Sequence, residues 1–181
     1  MKTIKVIFIV VGVIILIPLV MAVFITREYD VEREIVINKP KTEVYDFVRY
    51  LKNQDRYNKW VIMDPAMKKD FSGTDGAVGC VYSWDGDKAG KGEQELTNVV
   101  DGDLVEAELR FIKPFEGVAH THMITEEVAP DQTKVTWGMK GANQYPMNFM
   151  NLFMNNMLGA DLDESLSTLK EVMEKGQASL K

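Results

Sequence analysis

The feature that most constrains this chain is an uncharged apolar run near its amino terminus. Residues 6–25 read VIFIVVGVIILIPLVMAVFI, twenty residues without a charged side chain. At a rise of about 1.5 Å per residue, a helix of that length spans about 30 Å, the hydrocarbon thickness of a bilayer. The run therefore predicts a transmembrane helix, and we expect residues 1–27 to form an amino-terminal membrane anchor.

A cleaved signal peptide is the alternative interpretation of the same run. Such peptides have a basic start, an apolar region of about 7–15 residues and a small residue before the cut. Val20-Met21-Ala22 fits a cleavage site, but the apolar run is longer than usual and continues beyond it. Pro18 interrupts the run, and membrane helices tolerate proline better than soluble helices do. We therefore predict a retained anchor.

The charges on either side of the run predict its orientation. Lys2 and Lys5 precede it, whereas Arg27 is followed by Glu28 and Asp30. Positive residues favour the cytoplasmic side of a membrane. We expect a single-pass protein with a cytoplasmic amino terminus and an extracytoplasmic domain.

The residues after the run carry an excess of acidic side chains. All 27 Asp and Glu residues lie after Arg27, together with 18 of the 21 Lys and Arg residues, so the formal charge there is 18 − 27 = −9. Nucleic-acid binding needs a basic footprint, so we predict no nucleic-acid partner. Cys80 is the only cysteine, which excludes an intrachain disulfide. We also predict no metal site and no cofactor.

The hydrophobic periodicity after residue 28 predicts a mixture of strands and helices. Val31, Arg33 and Ile35 alternate with acidic residues in a strand from Tyr29 to Ile37. Pro40 then suits the first turn of an amphipathic helix of about three turns. Turn-forming residues separate five further segments of strand length, which predict an antiparallel sheet. These segments are Val78–Trp84, Gly92–Val100, Leu104–Ile112, Val118–Val128 and Lys134–Lys140.

Residues 147–173 return to helical periodicity. One apolar stripe runs from Met147 through Leu158 to Met173, interrupted in helix propensity at Gly159. It predicts one long helix, or two nearly collinear helices with a possible bend at Gly159. The elements together predict an α+β domain over residues 28–176 and a short tail at 177–181.

Both the order of elements and the residues within them resemble one family. The matching stretches are IVINKP at 35–40, EVYDFV at 43–48, Trp60, GCVYSW at 79–84, KGEQE at 91–95, KVTWGM at 134–139, LGADL at 158–162 and SLSTLK at 165–170. They resemble the START/Bet v 1-like superfamily, also called SRPBCC or polyketide cyclase-like proteins. The resemblance implies a helix-grip fold, in which a curved antiparallel sheet wraps around a long carboxy-terminal helix and encloses a deep cavity.

Members of that superfamily mostly bind hydrophobic small molecules, and some are cyclases or dehydratases. The resemblance therefore directs attention to apolar and aromatic side chains that could line a cavity. Methionine adapts to ligands of variable shape, and aromatic rings suit both pockets and cores. Plain core packing is the alternative for each of them. The candidate cavity residues are Trp60, Tyr82, Trp84, Phe111, Trp137, Met139, Met147, Met150, Phe153 and Met154.

Two pairs of titratable residues are the candidates for catalysis. Glu93 and Glu95 share one strand face, as do His120 and His122. Facing a cavity, two carboxylates would raise one another's pKa and could serve as acid and base. Facing solvent, the Glu pair would simply be hydrated. Two co-facial imidazoles could also hold a metal, but no third ligand is identifiable.

Three hypotheses follow for function. The leading one is a membrane-anchored domain that binds a hydrophobic small molecule or lipid in an internal cavity. The second is a cyclase or dehydratase-like enzyme that uses the Glu and His pairs inside the cavity. The third is a protein-interaction module whose cavity is filled by side chains.

Overall fold

In the computed structural model, an amino-terminal helix precedes an α+β domain, and residues 2–175 are described. The predicted tail at 177–181 lies outside the described residues. The helices are α1 (Lys2–Phe24), α2 (Lys41–Val48), α3 (Lys59–Ile62) and α4 (Asn151–Lys175), with 3₁₀ helices at Leu51–Arg56 and Met147–Met150. The strands are β1 (Glu28–Ile37), β2 (Lys68–Ser72), β3 (Val81–Gly86), β4 (Gly90–Val100), β5 (Leu104–Lys113), β6 (Gly117–Ala129) and β7 (Gln132–Ala142).

The seven strands form one antiparallel sheet in the order β1-β7-β6-β5-β4-β3-β2. Helix α4 packs against its inner face and buries a stripe that includes Leu158, Leu162, Leu166 and Leu169. This arrangement is the helix-grip fold that the family resemblance implies. The five predicted segments correspond to β3 through β7, with ends shifted by a few residues, and β2 adds a short strand at one edge.

Strand β1 shows how alternation in the sequence becomes alternation in burial. Val31 and Ile37 are buried, whereas Glu32 and Glu34 point to solvent. The strand pairs with β7 along its whole length, from Glu28 opposite Ala142 to Ile37 opposite Thr133. The period of two that predicted this strand is therefore confirmed.

Gly159 permits a close approach between α4 and β1, and α4 runs through it as one helix. A Cβ at this position would overlap the guanidinium group of Arg33. That group donates to Asp163 Oδ2 at 3.1 Å and to the Asn155 carbonyl oxygen at 2.6 Å. A side chain at position 159 would therefore have to displace the Arg33 guanidinium from its place across the helix.

We expect the effect of Gly159→Ala on stability to depend on Arg33. Alanine is better than glycine inside a helix by about 1 kcal/mol, but its Cβ would displace the guanidinium from Asn155 and Asp163. The substitution should therefore stabilise an Arg33→Ala protein by about 1 kcal/mol and leave the wild-type background unchanged or destabilised. Thermal unfolding of the four proteins measures this coupling. Equal changes in both backgrounds would show that Arg33 does not constrain Gly159.

Helix α1 is a candidate membrane span. Its segment Ile4–Phe24 has a mean hydropathy of 3.3, and the rest of the protein covers almost none of it. Near its carboxyl end, Ala22 is only 2% exposed because the domain covers it. By length and composition the helix suits either a span or a signal sequence.

Candidate functional site

A cavity of about 320 Å³ lies between α4 and the inner face of the sheet. All three tryptophans of the chain, Trp60, Trp84 and Trp137, line it. Helix α4 contributes Met154, Met157 and Leu158, and the strands contribute mainly aromatic and aliphatic side chains. The wall is therefore predominantly apolar, as ligand pockets usually are.

Seven of the ten candidate cavity residues lie in this wall, namely Trp60, Tyr82, Trp84, Phe111, Trp137, Met139 and Met154. Met147, Met150 and Phe153 lie outside it. Met147 and Phe153 are 50% and 43% exposed, and Met150 is half-buried. Met147 and Met150 belong to a separate 3₁₀ helix that precedes α4. The apolar stripe of α4 therefore does not continue through these two residues.

The aromatic rings of the wall pack against one another and against neighbouring rings of the core. Trp137 contacts Trp60 edge-on, with ring centroids 6.3 Å apart, and contacts Tyr57 in the same way at 6.0 Å. Trp84 meets Phe111 edge-on at 6.2 Å. Edge-to-face contacts of this kind stabilise aromatic clusters beyond the area they bury. The wall is thus a packed surface with a defined shape.

The polar atoms of two wall tryptophans are satisfied within the protein. Trp137 Nε1 donates to Thr121 Oγ1 at 2.9 Å, and that hydroxyl donates to the Gly138 carbonyl at 2.8 Å. Trp84 Nε1 donates to the Ala89 carbonyl at 3.3 Å. Because these N–H groups are already paired, both rings can present apolar surface to the cavity.

Gln94 is a polar residue of the cavity wall that the sequence pattern did not indicate, and its partner across the sheet is Tyr82. They lie opposite one another on β3 and β4, both are buried, and both line the cavity. The Tyr82 hydroxyl is buried without a hydrogen-bond partner among the described residues, and burial raises its pKa, so it stays protonated at neutral pH. A buried unpaired hydroxyl is costly, and protein atoms cover this one, so Tyr82 contributes its ring rather than its hydroxyl to the cavity wall.

Asp64 holds the β3–β4 hairpin against the cavity. Its buried carboxylate accepts hydrogen bonds from the backbone N–H groups of Lys88 at 2.8 Å and Ala89 at 3.2 Å. These two donors hold the pKa of Asp64 below its ordinary value. Ala89 itself lines the cavity, so the carboxylate positions part of the wall.

The contribution of Asp64 to stability should depend on pH. Because its folded-state pKa is depressed, the contribution is present above its ordinary pKa of about 3.9 and is lost as the pH falls through the folded-state value. We expect the melting temperature of wild type to exceed that of Asp64→Asn at pH 7 and the two to converge below about pH 4. Asp87→Asn, an exposed position of the same hairpin, is the control. A difference that stays constant down to pH 3 would contradict this role.

The candidate acid–base residues Glu93 and Glu95 lie on the outer face of the sheet. Both form ion pairs with Arg110, at 2.9 and 2.8 Å, and Glu108 completes the group at 2.8 Å. The residue between them, Gln94, is the one that faces the cavity. Because side chains alternate between the two faces along β4, both carboxylates point away from the cavity.

His120 and His122 also lie on the outer face. His120 is exposed, and His122 Nε2 lies 3.1 Å from Glu32 Oε1. Thr121 between them faces inward. The hypothesis of a cyclase or dehydratase-like enzyme required these four side chains inside the cavity, and the structure places them outside it. Asp161 is the one carboxylate among the described wall residues, and it pairs with Lys59 at 2.8 Å.

A curved sheet, a gripping helix and an apolar cavity between them define a ligand-binding domain. The chain belongs to the family described as polyketide cyclase / dehydrase and lipid transport, which it matches over residues 28–174. A search of curated proteins found no match.

Solved structures share the fold at low sequence identity. Norcoclaurine synthase from Thalictrum flavum, in complex with dopamine and hydroxybenzaldehyde, aligns with a TM-score of 0.62 and 9% identity, over 83% of this chain and 88% of that chain. A protein from Chromobacterium violaceum aligns at 0.59 and 12%, over 80% and 96%. A protein from Nitrosospira multiformis aligns at 0.57 and 15%, over 80% and 96%. At these identities the likeness concerns the fold alone.

Proposed function

We propose that this protein is a membrane-anchored domain that binds a hydrophobic small molecule or lipid in the cavity beneath α4. The observation that carries the proposal is the aromatic and aliphatic wall, interrupted by a few polar side chains such as Gln94 and Asp161. A volume of about 320 Å³ is near the lower end of the range for small-molecule pockets. It suits a compact apolar molecule or part of a lipid.

Burial of apolar surface alone can supply the free energy for such binding, without a strong polar contact. Burial of apolar surface contributes about 25 cal/mol per Å², so about 200 Å² of ligand surface would contribute about 5 kcal/mol before the costs of association. The Gln94 side chain, which lines the cavity, would then select ligands that carry a polar group. Neighbouring norcoclaurine synthase, which binds two small aromatic molecules, supports a cavity of this fold as a ligand site.

Intrinsic tryptophan fluorescence tests the proposal directly, because every tryptophan of the chain lies in the cavity wall. The full chain in nanodiscs of neutral phosphatidylcholine is titrated with a fatty acid brominated on its chain. We expect saturable quenching, reversal by the unbrominated fatty acid, and a rise in melting temperature. Absence of quenching together with an unchanged melting temperature, across fatty acids and smaller aromatic ligands, would contradict the proposal.

The membrane anchor is supported by the length, hydropathy and exposed apolar side chains of α1. The protein should therefore stay with membranes during alkaline carbonate extraction, and its amino-terminal peptide should remain detectable by mass spectrometry. We propose a cytoplasmic amino terminus because Lys2 and Lys5 precede the helix. Protease added outside an intact cytoplasmic membrane, with any outer layers removed, should then degrade the domain. Release by carbonate would contradict the anchor, and full protection from protease would contradict the orientation.

A further inference from the structure

Helix α1 is joined to the domain by side-chain hydrogen bonds at its carboxyl end. Asn148 donates to the carbonyl oxygens of Ala22 at 2.7 Å and Ile25 at 2.8 Å. Asn151 donates to the Thr26 carbonyl at 2.9 Å. The last carbonyls of a helix have no partner within it, so these asparagines satisfy groups that would otherwise be unpaired. The bonds hold the start of α4 beside the point where α1 ends.

Apolar side chains are exposed around that point. We call them the interfacial patch, and they are Tyr145, Met147, Leu152, Phe153 and Met157, each between 43% and 54% exposed. They lie within thirteen residues of sequence that also contain both asparagines. Exposed apolar clusters of this kind mark contact surfaces. Met147 directly precedes Asn148, which bonds to the Ala22 carbonyl, so the patch begins beside the end of α1.

A further exposed aromatic residue lies at the same end of the sheet. Strand β1 begins opposite the end of β7, which lies beside the start of β6. The β5–β6 hairpin therefore projects at this end, and it carries Phe115, which is 71% exposed. Two separate parts of the chain thus present apolar side chains toward the end where α1 leaves the domain.

The apolar character and the charge of the patch fit a bilayer surface, because apolar faces that bind membranes are buried about 5–10 Å into the interface. The patch residues carry no charge, and the domain is strongly acidic, with 27 acidic against 18 basic residues after Arg27. Contact would therefore depend on apolar insertion and would be insensitive to salt.

Met157 connects the patch to the cavity. It is 54% exposed and also lines the cavity, next to the half-buried Met154. We propose that the interfacial patch lies in the headgroup region of the bilayer that holds α1, and that the cavity fills through an opening at Met157 directly from the lipid. This inference rests on the proposed membrane anchor and names the bilayer as the source of the ligand.

Nitroxide labels can measure the depth of the patch in the intact protein. The full chain, in a Cys80→Ala background because Cys80 is the only native cysteine, is placed in phosphatidylcholine nanodiscs. A label at Phe153→Cys reports the patch. A label at Val128→Cys is the matched control, because Val128 is an apolar residue 51% exposed at the opposite end of the sheet. A label at Ile15→Cys reports α1 itself.

We expect the label at 153 to be accessible to oxygen and shielded from a water-soluble nickel chelate, with the reverse at 128. These values should not change between low and high salt. Equal exposure to the chelate at 153 and 128, with the label at 15 buried in lipid, would overturn the inference while leaving the anchor intact. Exposure of the label at 15 would overturn both. Dipolar broadening at 153 would indicate that a second copy covers the patch and would also overturn the inference.

Discussion

Replacing Met154 with tryptophan should abolish most ligand binding while leaving the fold intact. Met154 is half-buried, lies on the first turns of α4 and lines the cavity. The larger indole would occupy part of a space of only about 320 Å³, and a ligand that fits the wild-type cavity would then overlap it. We expect affinity for an apolar ligand to fall about tenfold or more, which corresponds to at least about 1.4 kcal/mol.

Native mass spectrometry of the full chain, released from nanodiscs with its bound molecule, measures this loss. Ser167→Trp is the matched control, because Ser167 is an exposed residue of the same helix outside the cavity wall. It should retain ligand at the wild-type level. Circular dichroism establishes that both variants are folded. Wild-type ligand content in a folded Met154→Trp protein would show that the ligand binds elsewhere.

Leu162→Ala should cause a large loss of stability. Leu162 is 0% exposed and packs in the core between α4 and the sheet. Truncation of a buried leucine to alanine costs about 2–5 kcal/mol because it removes apolar contacts and leaves a cavity. For a domain of this size, that corresponds to a fall in melting temperature of about 10 °C.

Leu152→Ala makes the same chemical change on the same helix at a residue that is 49% exposed. Surface substitutions usually change stability by less than about 0.5 kcal/mol, so its melting temperature should stay close to wild type. Tryptophan fluorescence follows both transitions, since the three tryptophans lie in the cavity wall. Similar losses in the two variants would contradict the packing of α4 described above.

The fold was predictable because its elements depend on local patterns. The alternation of Val31 and Ile37 with acidic residues identifies β1, and the helical spacing of Leu158, Leu162 and Leu166 identifies α4. Turn residues between the strands predict hairpins, which restrict the sheet to antiparallel neighbours. The side-chain periods of strands (two residues) and helices (3.6 residues) depend only on neighbouring residues, so they can be recognised without the tertiary structure.

The candidate site was only partly predictable. Side-chain alternation places Glu93 and Gln94 on opposite faces of β4, but the sequence of this strand does not indicate which face α4 covers. Gly159 was expected as a possible bend, and the structure shows instead that Arg33, 126 positions away, occupies the space above it. Met147 and Phe153 continue an apolar pattern but lie on the surface beside α1.

The sequence by itself determined the apolar helix, the strands, the closing helix and hence the family of the domain. Tertiary structure decided which side chains face the cavity and which surface adjoins α1, through contacts such as Asn148 with the Ala22 carbonyl. The physical reason is the range of the interactions. Backbone periodicity depends on residues a few positions apart, whereas a cavity wall is formed by packing between segments that are far apart in the chain.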